Sequence, residues 1–158
     1  MGAGILPITL HHDELYLLFS KEYSNDKGFM DWRDFGGTQE NNETPQRTAI
    51  REGWEESSGF LGSKKEIENL IKYNLVYKVH DKRYTIFIVC IDYDNSLPSK
   101  FRRHFLKMYN KDRSQICKNG LYEKSHLKWL KVSELKQNLH MFLPWYQHFV
   151  IKIYDQFK

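Results

Sequence analysis

Apolar residues run from Ile5 to Leu10 and again from Leu15 to Phe19, with the polar His11-His12-Asp13 between them. This pattern predicts two extended strands joined by a turn. Ser24 to Gly28 is a loop by composition, and the aromatic stretch Met30 to Phe35 ends at Gly36-Gly37, where the backbone can turn tightly or approach another group. Thr44-Pro45 is a helix start, because Thr caps with its hydroxyl and Pro is preorganised for the first helical position. The helix is expected to reach Ser57 or Ser58, with Gly59 as its stop. Its packing side is expected to be Ile50, Gly53, Trp54 and Ser57, with the carboxylates on the opposite side. Gly53 costs about 1 kcal/mol relative to Ala, and close approach to the sheet would account for it.

A second helix is predicted from Ser63 to Tyr73, with Ile67, Leu70 and Ile71 on one side. Leu75 to His80 alternates partly, as a strand does, while Tyr84 to Ile91 is a nearly continuous β-branched and aromatic run suited to a central strand covered on both faces. A basic, aromatic segment opens at Leu97-Pro98 and runs to about Lys118. Leu127 to Val132 is the last predicted strand, Ser133-Glu134-Leu135 opens a helical turn, and Pro144 starts a terminal helix ending near Phe157. No repeat or linker interrupts the pattern, and 158 residues suit one domain spanning 1–158.

Composition narrows the class. With 41% hydrophobic and 28% charged residues, the chain is ordinary globular protein, which excludes a fibrous or disordered class. The 15% aromatic content fills a core and is also compatible with stacking on a nucleotide base. A formal charge of +4 favours anionic partners only mildly. Cys90 and Cys117 lack CxxC spacing, and Cys90 lies in an apolar run where a buried, inert thiol is expected. A reducing, cytoplasmic setting is the expectation. No apolar stretch reaches bilayer length, the N-terminal residues lack a secretory plan, and Leu6 stands where myristoylation would need Ser or Thr, so no membrane partner is expected.

The candidate chemistry lies on the first helix. Glu52, Glu55 and Glu56 share neighbouring positions three and four apart, where like charges are mutually destabilising unless a cation compensates. Hard oxygen donors point to Mg²⁺ or Mn²⁺. Arg51 can pair with Glu55 across one turn. The same stretch reads as a Gly (Gly37), five residues, a Glu (Glu43), seven residues, then Arg51-Glu52, two residues and Glu55-Glu56. It resembles the Nudix box, with every charged position present. Trp32 ahead of Phe35-Gly36-Gly37, Ala49 before Arg51, and Leu127-Lys128-Trp129-Leu130 before Ser133-Glu134-Leu135 resemble frequent accompaniments. Two positions depart from the pattern: Gly53 replaces a bulky aliphatic, and Ser58 stands where a Gly is expected, with Gly59 one place later, which implies a helix ending one residue late.

The resemblance implies an α/β fold, an α/β/α sandwich around a mixed, partly antiparallel sheet, and a Mg²⁺- or Mn²⁺-dependent pyrophosphohydrolase cleaving a diphosphate linkage in a nucleoside diphosphate derivative. It implies metal binding by Glu52, Glu55 and Glu56 with the backbone carbonyl of Gly37 or Gly36. Glu55 or Glu52 would be the base, Arg51 would orient a carboxylate, and Glu43 would support the loop-helix geometry. Glu123 is the candidate for an added carboxylate ligand, with His126 a weaker one. Trp32, Phe35, Tyr84 and Tyr122 are candidate base-stacking residues. Arg102 and Arg103, in the basic segment 100–113, are candidates for extra phosphates, and with them capped RNA or diphosphoinositol polyphosphates become alternative substrates. A second alternative is a non-catalytic nucleotide- or RNA-binding module on the same fold.

Overall fold

The first two predicted strands pair as β1 (Gly2–His11) and β2 (Glu14–Ser24) in the computed structural model, which describes residues 1–158. His12 and Asp13 both take positive φ, 49° and 62°, the primed-turn geometry whose twist matches that of a hairpin. β1 begins at Gly2 rather than Ile5. Gly2 to Gly4 pair on both sides, with β4 (Phe35–Thr38) and β6 (Tyr84–Cys90), but glycine carries no strand signal in sequence. β2 likewise runs past Phe19, because its polar end faces a charged site.

β3 (Gly28–Arg33), β5 (Leu75–Asp81) and β7 (Lys124–Lys131) complete one sheet ordered β3-β2-β1-β6-β5, with β4 beside β1 and β7 beside β2. The β1–β6 pair is parallel and the other pairs are antiparallel. Helices α1 (Pro45–Glu56), α2 (Lys64–Tyr73) and α3 (Leu97–Lys111) cover one face, where Ile5, Phe35, Ala49, Ile67, Phe87 and Phe101 are buried together. Helix α4 (Gln147–Phe157), entered through a 3₁₀ turn at Pro144–Tyr146, covers the other, where Leu6, Phe19, Ile86, Ile88, Phe149 and Ile153 pack. β6 therefore alternates between two cores, as its apolar run predicts. The basic segment is helix α3, anchored by buried Leu97, Phe101 and Phe105 at helical spacing. Cys90 is exposed at the end of β6, contrary to the expectation of a buried thiol, because the strand leaves the core there. No helix is long and apolar enough to cross a membrane.

Helix α1 starts as predicted: the Thr44 side chain accepts from Arg47 N, and Pro45 follows. Its buried face is Thr48, Ala49, Glu52, Gly53 and Glu56, so Glu52 and Glu56 point inward and the predicted packing side needs correction. Trp54 is 37% exposed and lies under Lys64, whose Nζ is 4.8 Å from the ring centroid. The inward stripe is set by the i, i+4 lines Thr48–Glu52–Glu56 and Ala49–Gly53. The close approach at Gly53 is real, since a Cβ there would stand 2.8 Å from Ile5 Cγ2.

That contact decides the sign of a substitution. Ala at position 53 gains about 1 kcal/mol of helix propensity but must push Ile5 or the helix aside. Gly53→Ala is expected to be net destabilising by about 1–2 kcal/mol, with Tm lower by about 2–8 °C in thermal denaturation. A variant as stable as wild type would show that Ile5 yields freely.

Candidate active site

Arg51 organises the upper layer of the site. Its Nε donates to Glu43 Oε1 at 2.7 Å and its Nη2 to Glu43 Oε2 at 3.1 Å, a bidentate pair that straps the loop before α1 to the helix. Nη2 also reaches the Thr38 carbonyl at 3.0 Å, while Nη1 donates to Glu52 Oε1 at 2.9 Å and Glu55 Oε2 at 3.3 Å. Glu43 Oε2 accepts in addition from Thr48 Oγ1 at 2.7 Å and Glu40 N at 3.1 Å. Hydrogen bonds from Arg51 hold the Glu43 carboxyl down at about 2.

A second, deeper layer lies beneath. Lys124, 1% exposed, places Nζ 3.3 Å from Glu56 Oε2, 3.4 Å from Glu22 Oε1 and 3.2 Å from the Asp34 carbonyl. Arg33 donates to Glu22 Oε1 at 3.2 Å, Asp34 Oδ1 at 3.1 Å and the Tyr84 hydroxyl at 2.5 Å. Tyr84 in turn donates to the Asp34 carboxylate. These partners offset only part of the cost of burial, which pushes Glu56 up to about 8 and raises Asp34. Burial also raises Glu52, Glu55 and Glu123; for Glu55 and Glu123 the Glu52 charge adds to it.

The two layers frame a cleft with no hydrophobic lining residue, walled by six carboxylates (Glu22, Glu40, Glu52, Glu55, Glu56, Glu123) and two arginines. Glu123 immediately precedes β7, which starts at Lys124, three residues before the predicted Leu127. Asn119 and Gly120 close the opposite wall, and a Cβ on Gly120 would lie 2.7 Å from Glu55 Oε2. A Cβ on Gly37 would collide with the Glu52 carboxylate, so glycine there lets the carboxylate stand against the backbone.

No three carboxylate, histidine or cysteine groups converge as a ready-made metal cage, since Glu52 and Glu55 turn to Arg51 and Glu56 turns to Lys124. The donor set nevertheless fits a hard divalent cation. Glu56 Oε1 is buried without a hydrogen-bond partner, and Glu52, Glu55, Glu123 and the backbone of Gly36 and Gly37 stand around the same cleft. A cleft with this excess of negative charge repels anions and attracts cations.

Other sequence candidates fall elsewhere. Phe35 is fully buried beneath α1, packed in the core instead of facing a ligand, because the inward side of β4 carries it there. Trp32 is half-buried beside the α4-side core and pairs with Phe142, outside the cleft. Arg102 is spent internally: Nη1 donates to the Ser125 carbonyl at 3.2 Å and the guanidinium lies over Phe29 and Phe105. Arg103 is exposed, and neither arginine lines the cleft. His126 bonds Ser125 Oγ and is pushed down to about 4, mainly by burial, and Tyr122 stacks on His104. Glu22, Arg33, Asp34 and Lys124 were invisible as a group. The one local signal is the charged Arg33-Asp34 pair set between Trp32 and Phe35 just ahead of Gly36-Gly37.

No protein-family model matches the chain by sequence, and no curated protein does. Solved structures do. The Nudix domain of NrtR from Shewanella oneidensis, in complex with ADP ribose, superposes with a TM-score of 0.55 at 14% identity, covering 99% of this chain and 87% of that one. The chain has the Nudix fold. A C. elegans Ap4A hydrolase superposes on the Nudix fold of this chain with a TM-score of 0.53 at 14% identity, covering 96% and 93%. A bifunctional NMN adenylyltransferase/ADP ribose pyrophosphatase from Francisella tularensis, complexed with AMP and a Mn ion, gives 0.57 at 19% identity; this chain is covered over 98% of its length but spans only 41% of that protein.

Glu43 makes the Nudix-fold strap pH-sensitive in a defined sense. Its folded value is lowered from 4.5 to about 2, so the stability it contributes is complete above about 4.5 and is lost as pH falls toward about 2. Glu43→Gln is expected to be less stable than wild type above pH 4.5, by a constant margin that closes between pH 4.5 and 2. Melting curves across that range test this, and a margin that does not narrow in acid would remove the Arg51–Glu43 pair as its source.

Proposed function

We propose that the chain is a Mg²⁺- or Mn²⁺-dependent hydrolase of the diphosphate linkage in a nucleoside diphosphate derivative. The observation that carries this reading is the fully polar cleft in which six carboxylates outnumber two arginines around the inward-facing end of α1. Glu52, Glu55, Glu123, the free Oε1 of Glu56 and the carbonyls of Gly36 and Gly37 are the groups that would hold the metal. When bound, Mg²⁺ or Mn²⁺ offsets charge on phosphate oxygens and acidifies water in the site.

The chain's own residues then divide the work. Arg51 fixes Glu52 and Glu55 through one Nη1, so their orientation is set before substrate arrives. Glu55 is the most open of the three helix carboxylates, with a side chain 17% exposed against 11% for Glu52 and 3% for Glu56. Its proton affinity is raised by burial and by Glu52, which suits it to take the proton of the attacking water as the oxygen–phosphorus bond of the anhydride breaks and the phosphate leaves.

The nucleoside end has a place next door. A cavity of about 420 Å³ shares Arg33, Gly37 and Thr38 with the cleft and presents Trp145, 45% exposed, together with Tyr84, Lys82 and Arg83. An exposed aromatic face beside cations suits a base and a phosphate. The ADP ribose and AMP complexes of the Shewanella and Francisella neighbours support the same substrate class. The basic helix α3 contributes no residue to either space, so capped RNA and diphosphoinositol polyphosphates rank below it.

The deciding assay measures phosphate or nucleoside monophosphate release from nucleoside triphosphates, nucleotide sugars, dinucleoside polyphosphates, diphosphoinositol polyphosphates and capped RNA, with and without Mg²⁺ or Mn²⁺. Turnover is expected for the nucleotide members, abolished by chelation and lowered about 10²–10⁴-fold in kcat by Glu55→Gln. Folded, metal-binding protein that turns over nothing in the panel would instead mark a binding module. Trp145→Ala is expected to raise KM for nucleotide substrates by roughly 5–100-fold with kcat little changed, the equivalent of one lost stacking contact. If KM for inorganic pyrophosphate rises equally, Trp145 does not read the nucleoside.

A further inference from the structure

Lys124 is the one lysine whose side chain is wholly buried, and it lies under the carboxylates of the site. Its ammonium donates to Glu22 Oε1 at 3.4 Å and to the Asp34 carbonyl at 3.2 Å, and stands in an ion pair 3.3 Å from Glu56 Oε2. Three oxygens arranged about one positive centre, two of them from carboxylates, are also what a hard cation takes as ligands. Glu56 is divided between two surroundings: Oε2 faces the ammonium, and Oε1 is buried and unpartnered at the floor of the cleft. Arg33 serves Glu22 from the other side and does not reach Glu56 in this arrangement, so the ammonium is the only protein cation in contact with that carboxylate.

We propose that Lys124 is a built-in cation that permanently fills one positive position of the site, between Glu56 and Glu22, so that divalent metal is taken only on the Glu52, Glu55 and Glu123 side. Lys124 is thus a positioning residue: it touches no substrate and acts through Glu56, whose Oε2 it withdraws from metal binding while leaving Oε1 available. The inference rests on the metal-dependent reading given above. A tethered ammonium holds its place at any metal concentration, whereas a free ion at the same position would be lost as the metal is diluted.

The test is a Mn²⁺ titration of the whole chain, counting bound ions from the loss of the free-ion electron paramagnetic resonance signal, alongside melting temperatures with and without Mn²⁺. Lys124→Met keeps the apolar stem of the side chain and removes the ammonium. It is expected to bind one more Mn²⁺ per chain than wild type and to gain more thermal stability from Mn²⁺ than wild type does, whereas Lys124→Arg keeps the wild-type count. A lysine that merely props the fold would lower the melting temperature without adding an ion, and that result overturns the proposal. So does a Lys124→Met protein that fails to fold even in Mn²⁺, since an ion able to take the ammonium's place would restore it. Absence of Mn²⁺ binding by wild type and variant alike overturns the proposal and also the metal-dependent reading; an unchanged count in proteins that do bind Mn²⁺ overturns the proposal alone.

Discussion

Carboxylates can face the interior of a helix–sheet interface only where that interior supplies positive charge, and here Arg33 on β3 and Lys124 at the start of β7 supply it. Glu22 on β2 lies between the two cations and accepts from both, so three strands and α1 are tied through one buried ionic cluster. Removing any one member leaves a buried charge without its counterpart, which costs more than the pair contributes while intact. The backbone is shaped to the same end. Gly53 brings α1 down onto Ile5, and Gly37 leaves room for the Glu52 carboxylate beside β4, so helix and strand meet at a distance the ion pairs can span.

The two cations within the cluster and the strap above it do different work. Arg51 is a planar fork, and it uses that shape to hold Glu43 bidentately while sharing its remaining nitrogens between Glu52, Glu55 and the Thr38 carbonyl. Lys124 is a compact point charge and sits where three oxygens surround a single centre. Even with both in place, the cleft wall remains strongly acidic although the whole chain carries a formal charge of +4. The chain as a whole therefore favours anions mildly, while the cleft itself repels them and favours cations.

Much of this was legible in sequence where the signal is periodic or chemically local. The hairpin, the doubly covered β6, the capped start of α1 and the neighbouring positions of Arg51 and the three helix glutamates follow from pattern and residue type, while the part of Gly37 and Glu43 came from the resemblance to the Nudix box. What was not legible depends on pairings distant in sequence. Lys124 and Glu22 are 102 residues apart, and only the β2–β7 register, with its irregularity at Lys21/Glu22, sets them side by side. The inward direction of Glu52 and Glu56 was misread for a related reason: an acidic stripe is normally a solvated stripe, and the cations that reverse that rule lie on other strands. Phe35 was misread as a ligand contact because an aromatic residue beside a glycine pair suits a binding wall as well as a core, and strand alternation alone does not choose between them.

The two departures from the box pattern have local physical accounts that leave the helix carboxylates lining the cleft. An aliphatic side chain at position 53 would meet Ile5, and the volume it would fill is already taken by the Ile5 methyl 2.8 Å from the ideal Cβ. At the other end, Ser58 itself takes the left-handed conformation, φ 51°, and Gly59 follows at φ 78°. The helix thus ends at Glu56 with Ser57 as its cap, not one residue late. A non-glycine residue in that conformation costs roughly 1–2 kcal/mol. The return is a closed C-terminal turn: Ser58 N donates to the Glu55 carbonyl at 3.2 Å and Gly59 N to the Trp54 carbonyl at 3.1 Å. Those bonds pin the backbone of the last turn, which carries Glu55 and Glu56. The strain at Ser58 therefore lies beside Glu55 and Glu56, one open to the cleft and the other paired with Lys124.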